Sequence, residues 1–380
     1  MRTLLTQVHL VTPEAVLRDA SLLLEDDRIL SLDGGVADRV ECWGGDYVFP
    51  GFVDVHTDNL EKHFMPRHGV TWDAVAAAAS HDGQVATAGI TTVFDSISLH
   101  GHKDGLDRGA ALPEMLAGLQ EAGDLGLLRA DHRLHLRCEV SGPGIEAQLT
   151  PHLDHPLLQL LSVMDHTPGQ GQYRDLEAHA QRLWKAEGGA LDAMIARLEA
   201  LAAAHDLEGA QARRGAVATL AAQYGVPLAS HDDDSAKGVA FGKKIGCTIA
   251  EFPVCEEAAL AAKRLGMASL FGAPNLVRGR SHSGNLGAGR AAELGVLDGV
   301  CSDYMPMAML KSVAVLVNPP FSWPLWEVAE VLAGRPAEMT RLFDRGRIEV
   351  GRRADLLRLR LLGGQLPQLR ETWVRGERVA

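Results

Sequence analysis

At 380 residues, 46% hydrophobic and 23% charged, the chain is long enough for one large α/β domain plus a smaller module, and it can bury a sizeable core. A net charge of −12 excludes non-specific nucleic-acid binding, which needs a basic surface, but not a small anion held in a local cationic cleft. The five cysteines, Cys42, Cys138, Cys247, Cys255 and Cys301, form no C-x-x-C pair, so no disulfide framework or thiolate zinc site is expected and a reducing cytoplasm is.

The N-terminal stretch is interrupted by Thr6, Gln7 and His9, unlike the unbroken apolar core of a signal peptide. The longest apolar run, 305–317, is broken by Lys311 and is too short to span a bilayer. Residues 1–50 alternate apolar and polar side chains between turn signals, and 345–380 read the same way. Two β-rich ends predict one small β-sandwich domain assembled from both termini. Between them, 51–344 alternates apolar strands with helical stretches, the pattern of βα units. Eight strands are expected, at 51–56, 90–95, 134–140, 159–164, 227–231, 247–252, 268–271 and 299–302. Eight such units predict a closed (β/α)₈ barrel, and no G-x-G-x-x-G follows the first strand to favour an open sheet. The Ala-rich stretch 172–223 exceeds one barrel helix and should form two or three, broken near Gly188–Gly189 and near Gly209.

Ionisable residues gather where these strands end. PGFVDVHTD offers His56 and Asp58, two apart and therefore on one strand face. LHLRCEV offers Glu139, SVMDHT offers Asp165 and His166, ASHDDDS offers His231 with three aspartates, and VCSDYMP offers Asp303. An isolated histidine after a strand is more often structural than a ligand. Acids and imidazoles at several strand ends are different, because a barrel converges those ends and unpaired buried charges cost several kcal/mol each. A divalent cation removes that cost. The expected metal ligands are His56, Asp58, Glu139, His166, His231 and Asp303, holding one or two ions with Glu139 as a bridge. Zinc is the first expectation, with manganese or iron as alternatives. Asp303 and His231 are the expected catalytic residues, Asp303 taking the proton of the attacking water.

Cations cluster near the same ends. Lys62, His63, Arg67 and His68 follow the first strand, while Arg278, Ser281, His282, Ser283 and Asn285 lie in a Gly-rich loop after the seventh. The loop after strand seven is a recurring phosphate site in barrels, so these nine are expected to bind an anionic substrate. Lys243 and Lys244 read better as solvated surface charges.

The motifs PGFVDVHTD and GRIEVGRRADLL resemble those of the amidohydrolase superfamily. HTDNLEKHFMPRHGV, TTVFDSIS, SVMDHTPGQGQ, SHDDD and GAPNLVRGRSHSGN are similar to its alpha-D-ribose 1-methylphosphonate 5-triphosphate diphosphatase branch, from phosphonate catabolism. The resemblance implies a metal-dependent hydrolase that removes pyrophosphate from the ribose triphosphate. It further implies metal ligands at His56, Asp58, His166, His231 and Asp303, with Glu139 in place of a carboxylated lysine. Two features depart from the superfamily pattern. The first motif is H-x-D rather than H-x-H, and Glu139 and His166 fall on the third and fourth strands rather than the fourth and fifth. The alternatives are an amidohydrolase that cleaves a C–N bond of a cyclic amide or N-acyl compound, and a scaffold that has lost its metal. The expected partner is a small molecule, with no nucleic acid and no membrane, and a homodimer is the prior expectation for assembly.

Overall fold

The computed structural model describes residues 1–380 apart from 104, 282, 283 and 364. Eight parallel strands run in chain order through one sheet: Phe52–Thr57, Ile90–Ser98, Asp131–Glu139, Leu158–Met164, Leu228–His231, Ile249–Glu251, Ala268–Gly272 and Gly299–Cys301. They are called the first to eighth barrel strands below. A parallel bridge between Thr57 and Asp303 joins the last to the first, so the ring closes at Asp303, a residue singled out from the sequence, and beside His56 and Asp58. The expected strands are all present, and the third and fourth do carry Glu139 and His166 at or just past their ends.

The lumen is filled in layers, as closing eight tilted strands requires. Val53, Val55, Phe94, Leu160, Ala229, Ile249, Leu270 and Cys301 form one buried cluster. Strand side chains repeat every two residues, so the next position on the same face brings His231 above Ala229 and Glu251 above Ile249. The apolar plug therefore gives way to ionisable groups at the C-terminal mouth.

Between the fourth and fifth strands the chain forms three helices, Leu176–Glu187, Leu191–Ala203 and Leu207–Gln223. The first break falls at Gly188–Gly189 as expected. The second does not fall at Gly209. It falls at Ala204–Asp206, because Asp206 caps the third helix by accepting from the Gly209 backbone N–H at 2.9 Å. Gly209 is thus inside the first turn, and the acid before it is the stop signal.

Both ends of the chain build a second eight-stranded sheet, in which Leu356–Leu362 pairs antiparallel with Tyr47–Pro50 and Arg2–Val11 pairs with Val16–Glu25. Among the described residues, no helix is long and apolar enough to cross a membrane.

Candidate active site

The first strand ends at Thr57, and Asp58 begins the short helix Asn59–Phe64. His56, Asp58 and Asp303 place ligand atoms within 4.8 Å of one another. A second group, His166, His231 and Asp232, does the same from the fourth and fifth strands. The two groups adjoin, with the His56 and His231 rings 5.9 Å apart and the His166 and His231 rings 5.8 Å apart.

Two residues not singled out from the sequence connect the groups. Glu251, at the end of the sixth strand, pairs with His56 Nδ1 at 2.7 Å and lies 3.7 Å from His231 Nε2. Arg137, on the third strand, donates to Asp58 at 2.9 Å and lies 3.5 Å from His231 Nε2. Both could have been found. IAEFP ends an apolar strand in an acid, as the recognised motifs do, and His135, Arg137 and Glu139 repeat at the strand period. Asp232 was visible in SHDDD, but which of its three aspartates turns inward is decided by the backbone.

That backbone is strained in a repeated way. Asp232, Phe252 and Asp303 follow the fifth, sixth and eighth strands with φ of 58°, 56° and 55°. Left-handed backbone is unfavourable for residues other than glycine and persists where neighbours hold it. Here each N–H donates to the adjoining strand: Asp232 to Glu251 O, Phe252 to Leu270 O and Asp303 to His56 O. The turn re-aims the side chain after each strand toward the mouth.

Glu139 was expected to bridge two ions; the structure places it beside His166. Its Oε2 lies 2.9 Å from His166 Nδ1, and its Oε1 accepts from the Ser141 and His166 backbone N–H groups. Glu139 thus contacts His166 Nδ1, and His166 Nε2 lies 3.5 Å from Asp232. Burial alone would lower the His166 pKa, but Asp232 and Glu139 push it up to about 9. Likewise burial would lower that of His56, but Glu251 and Asp58 raise it to about 10. His135 takes the opposite course. Buried and bonded to the Ser96 and Ser162 hydroxyls, it falls to about 3 and stays neutral.

The donor set fits a divalent cation. His166 Nε2, His231 Nδ1, Asp232 Oδ2 and Glu251 Oε2 are all buried without a hydrogen-bond partner. Unsatisfied buried polar atoms are expensive, and His166, His231 and Asp232, which offer ligand atoms within 4.8 Å of one another, call for a shared partner. Nitrogen and oxygen donors of this kind suit zinc, manganese or iron. By contrast His81, Asp95 and His132 are also close enough for an ion, but Asp95 is held by His81 at 2.7 Å and His132 at 2.8 Å. That cluster is a closed hydrogen-bond network.

A cavity of about 500 Å³ opens above the ligands, walled by His56, Asp58, His231, Asp232 and Asp303 together with Lys62, Arg137, Tyr173, Ser281, Asn285 and Tyr304. A larger cavity, about 860 Å³, lies at the opposite end of the barrel beside Asp131 and His132. It is remote from the ligand groups, so size does not mark the site here. Of the expected substrate residues, Lys62, Ser281 and Asn285 line the ligand cavity. Arg278 stands next to it, with Nη1 3.4 Å from the Tyr304 hydroxyl, and lines an adjoining cavity of about 500 Å³ with Ser281 and Asn285. His63, Arg67 and His68 do not line either cavity. Each helix residue turns about 100°, so Lys62 faces the mouth while His63 bonds Gln84 at 3.0 Å, and Arg67 and His68 are exposed beyond. His282 and Ser283 lie outside the described residues.

The chain is 36% identical over 336 residues to an Escherichia coli protein, alpha-D-ribose 1-methylphosphonate 5-triphosphate diphosphatase, the match covering 88% of each. No family model matches it. Among solved structures it resembles N-acetyl-D-glucosamine-6-phosphate deacetylase from Mycobacterium smegmatis, with a TM-score of 0.65, 14% identity and full coverage of both chains. It also resembles N-isopropylammelide isopropylaminohydrolase from Burkholderia multivorans, with a TM-score of 0.63, 15% identity and coverage of 100% and 98%. These structures share the amidohydrolase barrel, and at such identities they speak for the fold alone.

Proposed function

This chain belongs to the family of alpha-D-ribose 1-methylphosphonate 5-triphosphate diphosphatases, and on that premise we propose that it is a divalent-metal-dependent hydrolase removing pyrophosphate from that ribose triphosphate to leave the 5-phosphate. The observation that carries the metal-dependent part is the converging set of ligand atoms on His166, His231 and Asp232, buried without a hydrogen-bond partner and with Glu251 beside them, at the mouth of a barrel whose cavity also holds a lysine and an arginine. His56, Asp58 and Asp303 complete the donors. An ion held there acidifies water and offsets the charge of a phosphoryl group.

The chain's own residues do the rest. Asp303, on its constrained turn, accepts the proton of the attacking water. His231 presents its Nδ1 to the same centre, and Glu139 fixes the tautomer of His166 from behind. Lys62, Ser281 and Asn285 bind the triphosphate inside the cavity, with Arg278 beside them at its rim. His282 and Ser283 extend that set in sequence. Zinc is the first choice of ion. The residue ranges 1–50, 51–344 and 345–380 serve as the corresponding units, the reaction belongs in the cytoplasm, and a homodimer is the working assembly.

The test is product analysis. Purified protein supplied with Zn²⁺ or Mn²⁺ is expected to release pyrophosphate from ribose or nucleoside triphosphates. Release of orthophosphate alone, or turnover of hydantoins and dihydropyrimidines in place of triphosphates, would overturn the proposal.

A further inference from the structure

We propose that Arg137 is a further catalytic residue of this site, its guanidinium gripping the non-bridging oxygens of the phosphoryl group that water attacks. The inference rests on the function proposed above and adds to it a fixed cation that does not depend on the metal.

Three arginines are buried among the described residues: Arg137 at 7%, Arg345 at 5% and Arg353 at 3% exposure. Two of them are saturated. Arg353 places Nε and Nη2 on Asp355 and Nη1 on Asp131. Arg345 places Nε and Nη2 on Asp344 and Nη1 on Asp131. This is how a structural arginine offsets its burial, since each desolvated N–H left open is costly. Arg137 differs. One arm donates to Asp58, the second meets only the edge of the His231 ring at 3.5 Å, and the buried Nε has no partner. Arg137 alone of the three lines the ligand cavity. It also stands between the two ligand groups, where the sequence led one to expect the carboxylate of Glu139.

A guanidinium in that place suits phosphate. Its planar fork matches two oxygens of one phosphoryl group, and its charge persists at any working pH. Hydrolysis of the α–β anhydride joins the water oxygen to one of its phosphorus atoms and breaks the bond from that phosphorus to the bridging oxygen. The electron pair leaves with the departing phosphate, and the water proton passes to Asp303. Charge accumulates on the non-bridging oxygens during this step, and a preorganised donor in a water-poor wall acts most strongly there.

The experiment compares wild type, Arg137→Ala and Arg137→Lys for pyrophosphate release, metal content, and calorimetric binding of inorganic pyrophosphate. Arg137→Ala is expected to retain its metal, to lose kcat by roughly 100-fold or more, to bind pyrophosphate at least about tenfold more weakly, and to recover part of the lost rate with millimolar guanidinium. Arg137→Lys keeps a charge beside Asp58 and should retain the fold and metal yet fall between the two in rate. It decides the matter if the alanine variant does not fold. Activity of Arg137→Ala within about threefold of wild type, or a loss that tracks lost metal without guanidinium rescue, would overturn the inference and leave Arg137 as a support for Asp58. A wild type that releases no pyrophosphate from any triphosphate would instead overturn the proposed function, and this inference with it.

Discussion

Asp303 does two jobs that a sequence reader would not combine. Its backbone closes the barrel against His56 and Asp58, and its side chain joins the first ligand group. Asp303→Asn keeps the backbone role and removes the proton acceptor, so it should lower kcat by roughly 10²–10⁴ while circular dichroism and thermal midpoint stay near wild type. Glu139 acts one step away. Glu139→Gln should leave His166 in place but weaken its hold on tautomer and orientation, costing about 10–100-fold in metal affinity by competitive chelation. Proton competition has a definite sign. His166 keeps its proton up to about pH 9 while paired with Asp232 and Glu139, and an ion on Nε2 must displace it. Metal affinity should therefore rise with pH toward that value and level off above it, with proton uptake by buffer detected calorimetrically. At the rim, Arg278→Ala should raise KM for triphosphate with little change in kcat, and an unchanged KM would remove it from the binding set.

The barrel strands position these residues by periodicity, but the connections set the limits of change. Gly51 separates Pro50, in the terminal sheet, from the first barrel strand. A Cβ there would lie 2.2 Å from Thr91 Oγ1 and 2.4 Å from its Cγ2. Thr91 is buried and β-branched, so it cannot swing aside cheaply. Gly51→Ala should destabilise the protein by about 1–3 kcal/mol, read as a shift in denaturant midpoint. The same strand then delivers His56, so residual activity per folded molecule in this variant reports how far the displacement travels.

Across the whole molecule, a charge cluster fastens the C-terminal segment under the barrel. Asp131, at the start of the third strand, accepts from Arg353 at 2.6 Å, Arg345 at 2.5 Å and Arg133 at 3.1 Å. Burial would raise its pKa, but the three guanidinium groups outweigh burial and hold it well below the ordinary 3.8. A depressed carboxylate stabilises the fold above its unfolded pKa, and that stabilisation fades as pH falls through and below about 4. Asp131→Asn should therefore cost on the order of 3 kcal/mol near neutrality, with the gap from wild type shrinking as acid unfolding is approached. A gap that stayed constant from pH 7 to about 3 would show that charge at Asp131 is not what holds the segment.

Local sequence determined much of this. An apolar run fixes a strand, its period fixes a face, and a strand in a parallel barrel must end at the catalytic mouth. His56, Asp58, His166, His231 and Asp303 were therefore legible, and their convergence followed. Glu251 obeyed the same rule in IAEFP and was missed because one acid closing a three-residue strand carries little signal alone. What only the tertiary structure decided is which partner each group faces. Register between strands as far apart as His56 and Glu251 is set by closure of the whole ring, not by either segment. That register placed Glu139 beside His166 and put Arg137 between the two ligand groups, while the helix that follows the first strand turned Lys62 into the cavity and His63 away.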